Sequence, residues 1–167
     1  MISKYRNAGQ TCVCSNRILV QSSVVEEFTA KFTEAAKQLV LGNGDKEGVT
    51  VGPLIDQKAA VGVCEFIDDA VAKGATVVMG GGMSSLGGYF VEPTILANVS
   101  RDMRVFSEEI FGPVLVMMPY DSIEEAISVA NDTPYGLAGY VQGNNMDAVM
   151  NVASQIRAGN ININGGS

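Results

Sequence analysis

Val114-Leu115-Val116-Met117-Met118 is apolar at every position. A strand with one wet face alternates apolar and polar residues, so an unbroken apolar run of this length reads as a strand covered on both faces. Such strands sit in parallel sheets sandwiched between helices, and the flanking sequence supplies both kinds of element. Downstream, Ser122 and Glu125 have the spacing of a capping box and open a helix with Ile123, Ala126, Ile127 and Ala130 inward. Leu137 to Val141 reads as the next strand. Met146, Val149, Met150, Ala153 and Ile156 then mark a helix that Gly159 ends. Asn160-Ile161-Asn162-Ile163-Asn164 alternates strictly, a strand signal. The closing Gly165-Gly166-Ser167 reads as the cut edge of a longer protein.

Upstream the same alternation holds. Arg17-Ile18-Leu19-Val20 is a short strand. Phe28, Phe32, Ala35, Ala36 and Leu39 recur at helical spacing, with Gly42 and Gly44 as the stop. Asp56 can cap a helix facing inward with Ala59, Ala60, Val63, Ile67, Ala70 and Val71, ended by Gly74. Thr76-Val77-Val78-Met79 reads as a strand, and Tyr89-Phe90-Val91 and Thr94-Ile95-Leu96 as short extended pieces. Strand and helix alternate without a run of hairpin turns, which gives an α/β fold with a mostly parallel sheet flanked by helices.

Composition narrows the function classes. The chain has 167 residues, 47% of them hydrophobic and 17% charged, enough for one domain with its own core. Its net charge of −7 argues against nucleic acid or an anionic membrane as partner. No apolar run approaches the ~20 residues of a membrane-spanning helix. The opening residues show no signal-peptide pattern. Three cysteines, an odd number, read as free thiols in a reducing compartment, hence cytoplasmic. The absence of histidine removes a Ser-His-Asp triad, an internal Cys-His dyad and histidine metal sites. Cys12, Cys14 and Cys64 fit no common zinc spacing, so no metal is expected.

The glycine-rich stretches do not read as phosphate cradles. Gly42, Gly44 and Gly48 follow a helix where a dinucleotide fingerprint follows a strand, and Gly80-Gly81-Gly82 leads into Tyr89-Phe90-Val91 without the lysine of a P-loop. Cys12 is the candidate nucleophile. Taken alone it has two readings, structural packing being the commoner for a cysteine. Gly9 before it lets backbone come close to a ligand, and N–H groups near Cys12 can stabilise an anion. Glu108-Glu109 reads either as a pair of acid/base carboxylates or as a solvated loop.

Asn7-Ala8-Gly9-Gln10-Thr11-Cys12 resembles the nucleophile motif of the NAD(P)-dependent aldehyde dehydrogenases, and Glu108-Glu109-Ile110-Phe111-Gly112-Pro113-Val114 resembles that family's second signature. Gly52-Pro53-Leu54, Glu92-Pro93-Thr94 and Asn131-Asp132-Thr133-Pro134-Tyr135-Gly136-Leu137 are similar too, in order. The resemblance implies Cys12 as the thiol that attacks an aldehyde carbonyl, with its backbone N–H in the oxyanion hole. It implies Glu109 on the hydroxyls of the nicotinamide-side ribose and Phe111 beside the nicotinamide ring. Asn7, Gly9, Gln10 and Asn164 would support the site. The cofactor implied is NAD or NADP, the substrate a small aldehyde, and the assembly a homo-oligomer.

The Cys-Val-Cys stretch is similar to the succinate-semialdehyde dehydrogenase branch, where Cys14 would be a redox partner of Cys12; packing is the other reading of Cys14. The resemblance further implies that residues 1–167 are a partial catalytic domain, with the cofactor-binding domain and a C-terminal oligomerisation segment absent. The expectation is an isolated chain with little or no activity. A stand-alone cysteine acyl-transfer or hydrolase domain, and a non-catalytic assembly remnant, are the alternatives.

Overall fold

The computed structural model describes residues 1–166; Ser167, in the expected cut edge, lies outside the described residues. A short helix α1 (Ile2–Tyr5) leads through a tight turn to β1 (Arg17–Gln21), followed by α2 (Val25–Ala36) and α3 (Gln57–Ala72). Then come β2 (Thr76–Met79), β3 (Thr94–Ala97), α4 (Arg104–Ser107), β4 (Val114–Tyr120) and α5 (Ile123–Asn131). The described chain closes with β5 (Ala138–Val141), α6 (Met146–Ala153) and β6 (Asn160–Ile163).

The main sheet has the order β1-β4-β3-β2, with β4 parallel to both β1 and β3 and only β2 antiparallel. The apolar run is the centre of this sheet, and Val114 to Met118 are all buried. Alternation divides its side chains. Val114, Val116 and Met118 join Leu96 in the core under α3, with Val51, Leu54, Ala60, Val63, Phe66, Ile67 and Ala70. Leu115 and Met117 join Ile95 in a second core with Tyr5, Val20 and Ala36. Residues pointing to opposite faces are both covered, so the strand shows no polar positions.

The caps follow the sequence. Asp56 Oδ1 accepts from Ala59 N at 2.7 Å and starts α3. Gly74 ends it at φ 101°, with Ala75 N donating to Ala70 O and Gly74 N to Val71 O, a Schellman closure. Ser122 Oγ accepts from Glu125 N at 3.1 Å, while the Glu125 carboxylate accepts from Asp121 N at 2.9 Å, one residue before the cap.

Several boundaries differ from the sequence reading. β5 and β6 form a separate two-stranded parallel sheet instead of joining the main one. α2 stops at Ala36, well before Gly42, because Gln38 N and Leu39 N turn back to the carbonyls of Ala35 and Ala36 and tighten the chain out of the helix. Val71 and Ile123 are exposed, whereas Phe66 and Val129 take the buried positions. Ile156 lies beyond α6 in a turn. Tyr89-Phe90-Val91 forms no strand, only a bridge between Val91 and Met83.

One consequence positions the site. β1 and β4 are neighbours and parallel, with Arg17 opposite Val116. The loop carrying Cys12 enters β1 and the loop carrying Glu109 and Phe111 enters β4, so both arrive at the same end of the sheet.

Candidate active site

The turn before Cys12 is wound left-handed. Asn7 (φ 52°, ψ 36°), Ala8 (φ 55°, ψ 32°) and Gly9 (φ 75°) follow one another in the αL region. Alanine there costs about 1–2 kcal/mol, so its surroundings must hold it. Ala8 is almost fully buried, and Gly9 lies so close to Gly112 that any Cβ would overlap the Gly112 carbonyl oxygen. The nucleophile turn and the second signature therefore touch backbone to backbone, and only glycine permits it.

Gln10 ties in a third segment. Its Oε1 accepts from Ile55 N at 2.9 Å, and its Nε2 donates to Asn7 O at 3.1 Å and to Pro53 O at 3.4 Å. Asn7 Nδ2 returns a bond to Gln10 O at 3.0 Å. Gly52-Pro53-Leu54 is thus part of the scaffold behind Cys12. Glu92-Pro93-Thr94 is joined through Tyr5, whose hydroxyl donates to Thr94 O at 3.0 Å, and through Thr94 N, which donates to Pro113 O at 2.8 Å. Arg17 reaches the Asn131 to Leu137 segment by donating to Ala130 O and Asp132 O.

Cys12 is exposed and its thiol has no hydrogen-bond partner among the described residues; Cys14 is half-buried. Cys14 Sγ shares a hydrogen bond with Thr11 Oγ1 and donates to Lys4 O at 3.5 Å. Cys64 packs against the core, and burial pushes its thiol above the usual range, with Asp68 adding to the effect. All three thiols are free. No three described Cys, Asp or Glu residues are grouped to hold a metal ion.

The two glutamates separate. Glu108 is held by Arg104, Oε1 to Nε at 2.9 Å and Oε2 to Nη2 at 3.2 Å, and this pairing lowers its carboxyl below the ordinary value. Glu109 is exposed and has no hydrogen bond or ion pair among the described residues. Phe111 is 44% exposed at φ 47°. A bulky side chain in the left-handed region is strained, and strain around an exposed ring marks a place where a ligand is expected to pack. Glu109 and Phe111 suit the nicotinamide-ribose end of a dinucleotide: a free carboxylate for a diol and an open aromatic face beside it. Among the described residues no strand-to-helix glycine loop for a pyrophosphate accompanies them.

Asn164 sits apart from this cluster. Its side chain brackets Gly143, with Oδ1 accepting from Gly143 N and Nδ2 donating to Gly143 O, each at 2.9 Å. It pins the end of the small sheet, which reaches the nucleophile loop through Tyr140, whose hydroxyl donates to Val13 O at 2.7 Å. Sequence reading missed Tyr140, Tyr5 and Lys4. Only the burial of Tyr5 and Lys4, invisible in the sequence, distinguishes them.

The fold is an α/β domain in which an exposed cysteine, Cys12, lies at the same end of the sheet as Glu109 and Phe111. The chain matches the aldehyde dehydrogenase family over residues 1–167, and it belongs to that family. It is 51% identical over 167 residues to rat mitochondrial succinate-semialdehyde dehydrogenase, covering 99% of this chain and 32% of the relative. It is 45% identical over 164 residues to the 3-sulfolactaldehyde dehydrogenase of Pseudomonas putida, covering 98% of this chain and 34% of the relative. A mutant of aldehyde dehydrogenase C from Pseudomonas syringae, solved with NAD+ and octanal, superposes with a TM-score of 0.94 at 36% identity, covering 99% of this chain and 35% of that one. The chain spans about a third of the length of the relatives it matches. No helix among the described residues is long and apolar enough to cross a membrane.

Proposed function

We propose that this chain carries the nucleophile and the nicotinamide-side contacts of an NAD- or NADP-dependent oxidation of an aldehyde to a carboxylic acid. The approach of Gly9 to Gly112 carries the reading, because it brings the thiol loop and the Glu109–Phe111 loop to one end of the sheet. The Cys12 sulfur attacks the carbonyl carbon and forms a C–S bond, and the backbone N–H of Cys12 faces the oxygen as it gains charge. When bound, the cofactor supplies the acceptor for the hydride. Glu109 holds the ribose hydroxyls and Phe111 fixes the ring. Cys12 retains the acyl group as a thioester until water cleaves the C–S bond, releasing the acid and the thiol.

The names of both relatives, succinate-semialdehyde and 3-sulfolactaldehyde dehydrogenase, contain a second, anionic group beside the aldehyde. Arg6 is exposed, has no ion pair among the described residues and lies in the turn leading to Cys12. It is the cation that would suit an anionic aldehyde, and we include that class in the proposal.

The chain corresponds to part of a catalytic domain and does not turn over alone, since Cys12 has no general base within hydrogen-bond reach among the described residues. The same observation counts against a stand-alone thiol hydrolase. Tyr135, Leu137, Met146 and Met150, around β5 and α6, are about half exposed, which supports a homo-oligomer. Free thiols suit a reducing compartment; cytoplasm is our reading, although the rat relative is mitochondrial. The net charge of −7 supports a small-molecule enzyme without nucleic-acid or membrane partners.

The test is NADH or NADPH formation with succinate semialdehyde by the longer protein containing this chain. Activity that Cys12→Ser abolishes, with none from the isolated chain, is expected. Full turnover by the isolated chain, or by the Cys12→Ser protein, overturns the reading.

A further inference from the structure

Tyr140 stands on β5, half-buried, with Asn162 of β6 opposite it. Its hydroxyl donates to Val13 O at 2.7 Å, across 127 residues of chain. Among the described residues this is the only hydrogen bond from the small sheet to the nucleophile loop. The end of that sheet is fixed by Asn164, which clasps Gly143 and whose backbone N donates to Val141 O at 3.0 Å. A phenol offers one O–H donor on a rigid ring, so its aim is set by the strand that carries it.

Val13 belongs to a tight turn. Cys14 N donates to Thr11 O at 3.0 Å and closes a β-turn with Cys12 and Val13 at its centre. A trans peptide is a planar unit whose C=O and N–H point in opposite directions. The peptide joining Val13 to Cys14 therefore accepts from Tyr140 at its oxygen and donates to Thr11 O at its nitrogen. The peptide joining Thr11 to Cys12 accepts that bond at its oxygen and carries the Cys12 N–H at its opposite end. Cys12 N has no hydrogen-bond acceptor among the described residues. The series starts at the Tyr140 hydroxyl, passes through two peptides and ends on an open donor of the residue that bears the exposed thiol. Hydrogen bonds in series polarise one another, by roughly 10–30% per bond.

We propose that Tyr140 is a positioning residue for the oxyanion donor: its hydroxyl orients and polarises two peptides in series, and so strengthens the Cys12 N–H toward the charge that develops on a substrate carbonyl oxygen. This inference rests on Cys12 being the nucleophile with its N–H facing that oxygen. Its test uses neither cofactor nor hydride transfer, so the two can fail separately.

The experiment compares two reactions of Cys12 in the longer protein, each followed by mass spectrometry of the Cys12 peptide. p-Nitrophenyl acetate acylates the thiol. The sulfur attacks the carbonyl carbon, an oxyanion forms, the C–O bond breaks, p-nitrophenolate leaves with the electron pair and the thiol proton passes to water. Iodoacetamide alkylates the same sulfur by displacing iodide from a saturated carbon, and no carbonyl oxyanion forms. Tyr140→Phe keeps the ring and removes the donor. It is expected to slow acylation about 3- to 10-fold, less than the roughly 10²–10³-fold of losing an oxyanion donor outright, and to leave alkylation within about twofold of wild type. Unchanged acylation overturns the proposal. Equal slowing of both reactions also overturns it, because that marks a loop that has lost its structure. Acylation of Cys14 or Cys64 in place of Cys12 overturns both the proposal and the reading it rests on. Should Tyr140→Phe fail to fold, 3-fluorotyrosine placed at Tyr140, a stronger donor of nearly the same shape, decides below the pH at which either ring ionises: faster acylation with unchanged alkylation supports the proposal, and any other result overturns it.

Discussion

Gly9→Ala strikes the contact on which the site depends. Gly9 sits at φ 75°, where an L side chain costs about 1–2 kcal/mol. The new Cβ would overlap the Gly112 carbonyl oxygen and press on its carbon, both backbone atoms that cannot rotate away as a side-chain end could. Forced displacement of packed groups adds about 1–3 kcal/mol. The expected loss is about 2–5 kcal/mol. With a urea dependence of roughly 2 kcal/mol per M, the middle of the usual range, the unfolding midpoint falls by about 1–2.5 M. Gly44→Ala is the control, since its φ is ordinary and nothing lies within 4 Å of its added Cβ. It should leave the stability within ~0.5 kcal/mol of wild type, the usual range for an uninvolved surface site. If Gly9→Ala and Gly44→Ala unfold together, the two signature loops are not in backbone contact and the reasoning fails.

The two glutamates should part company in the longer protein. Glu109→Gln is expected to raise KM for the cofactor about 10- to 100-fold, as loss of a charged hydrogen bond would, while Glu108→Gln leaves it near wild type and costs under ~1 kcal/mol because its ion pair with Arg104 is about half exposed. Steady-state kinetics with varied NAD checks both. Asp69 accepts from Lys73 Nζ at 2.8 Å and from Arg104 N at 2.9 Å, and these bonds lower its carboxyl. Its contribution is present above the unfolded value of ~3.9 and lost as pH falls through the lower folded value. Wild type should therefore exceed Asp69→Asn in stability at neutral pH, and the gap should close on acidification; a gap constant from pH 7 to pH 2 in urea titrations contradicts this.

Local signals in the sequence carried much of the fold. The apolar run at Val114 to Met118, the Asp56 and Ser122 caps and the Gly74 stop each act over a few residues, and each stands where its chemistry puts it. What escaped was set by distant partners. The exposure of Val71 and Ile123 and the burial of Phe66 and Val129 depend on which helix face meets the sheet, which periodicity locates only to within a residue or so. α2 has no glycine at its end, and its early stop leaves Val40 and Leu41 extended, where Leu41 can bridge Val51.

The site was legible as motifs and not as geometry. Nothing in Gln10 foretells that its amide reaches Ile55 and Pro53, and nothing in Phe111 foretells a positive φ, because both follow from loops meeting across the sheet end. Lys4 is the sharpest case. A lysine ordinarily belongs on the surface, and only the packed structure reveals it as a core residue.

The most direct test of the central claim is to quench the longer protein during turnover of succinate semialdehyde with NAD and search its peptides by mass spectrometry for a bound acyl group. The account predicts a succinyl mass on the peptide bearing Cys12, absent without NAD and absent in Cys12→Ser. An acyl group on Cys14 or Cys64 instead, or steady turnover by the Cys12→Ser protein, would contradict it.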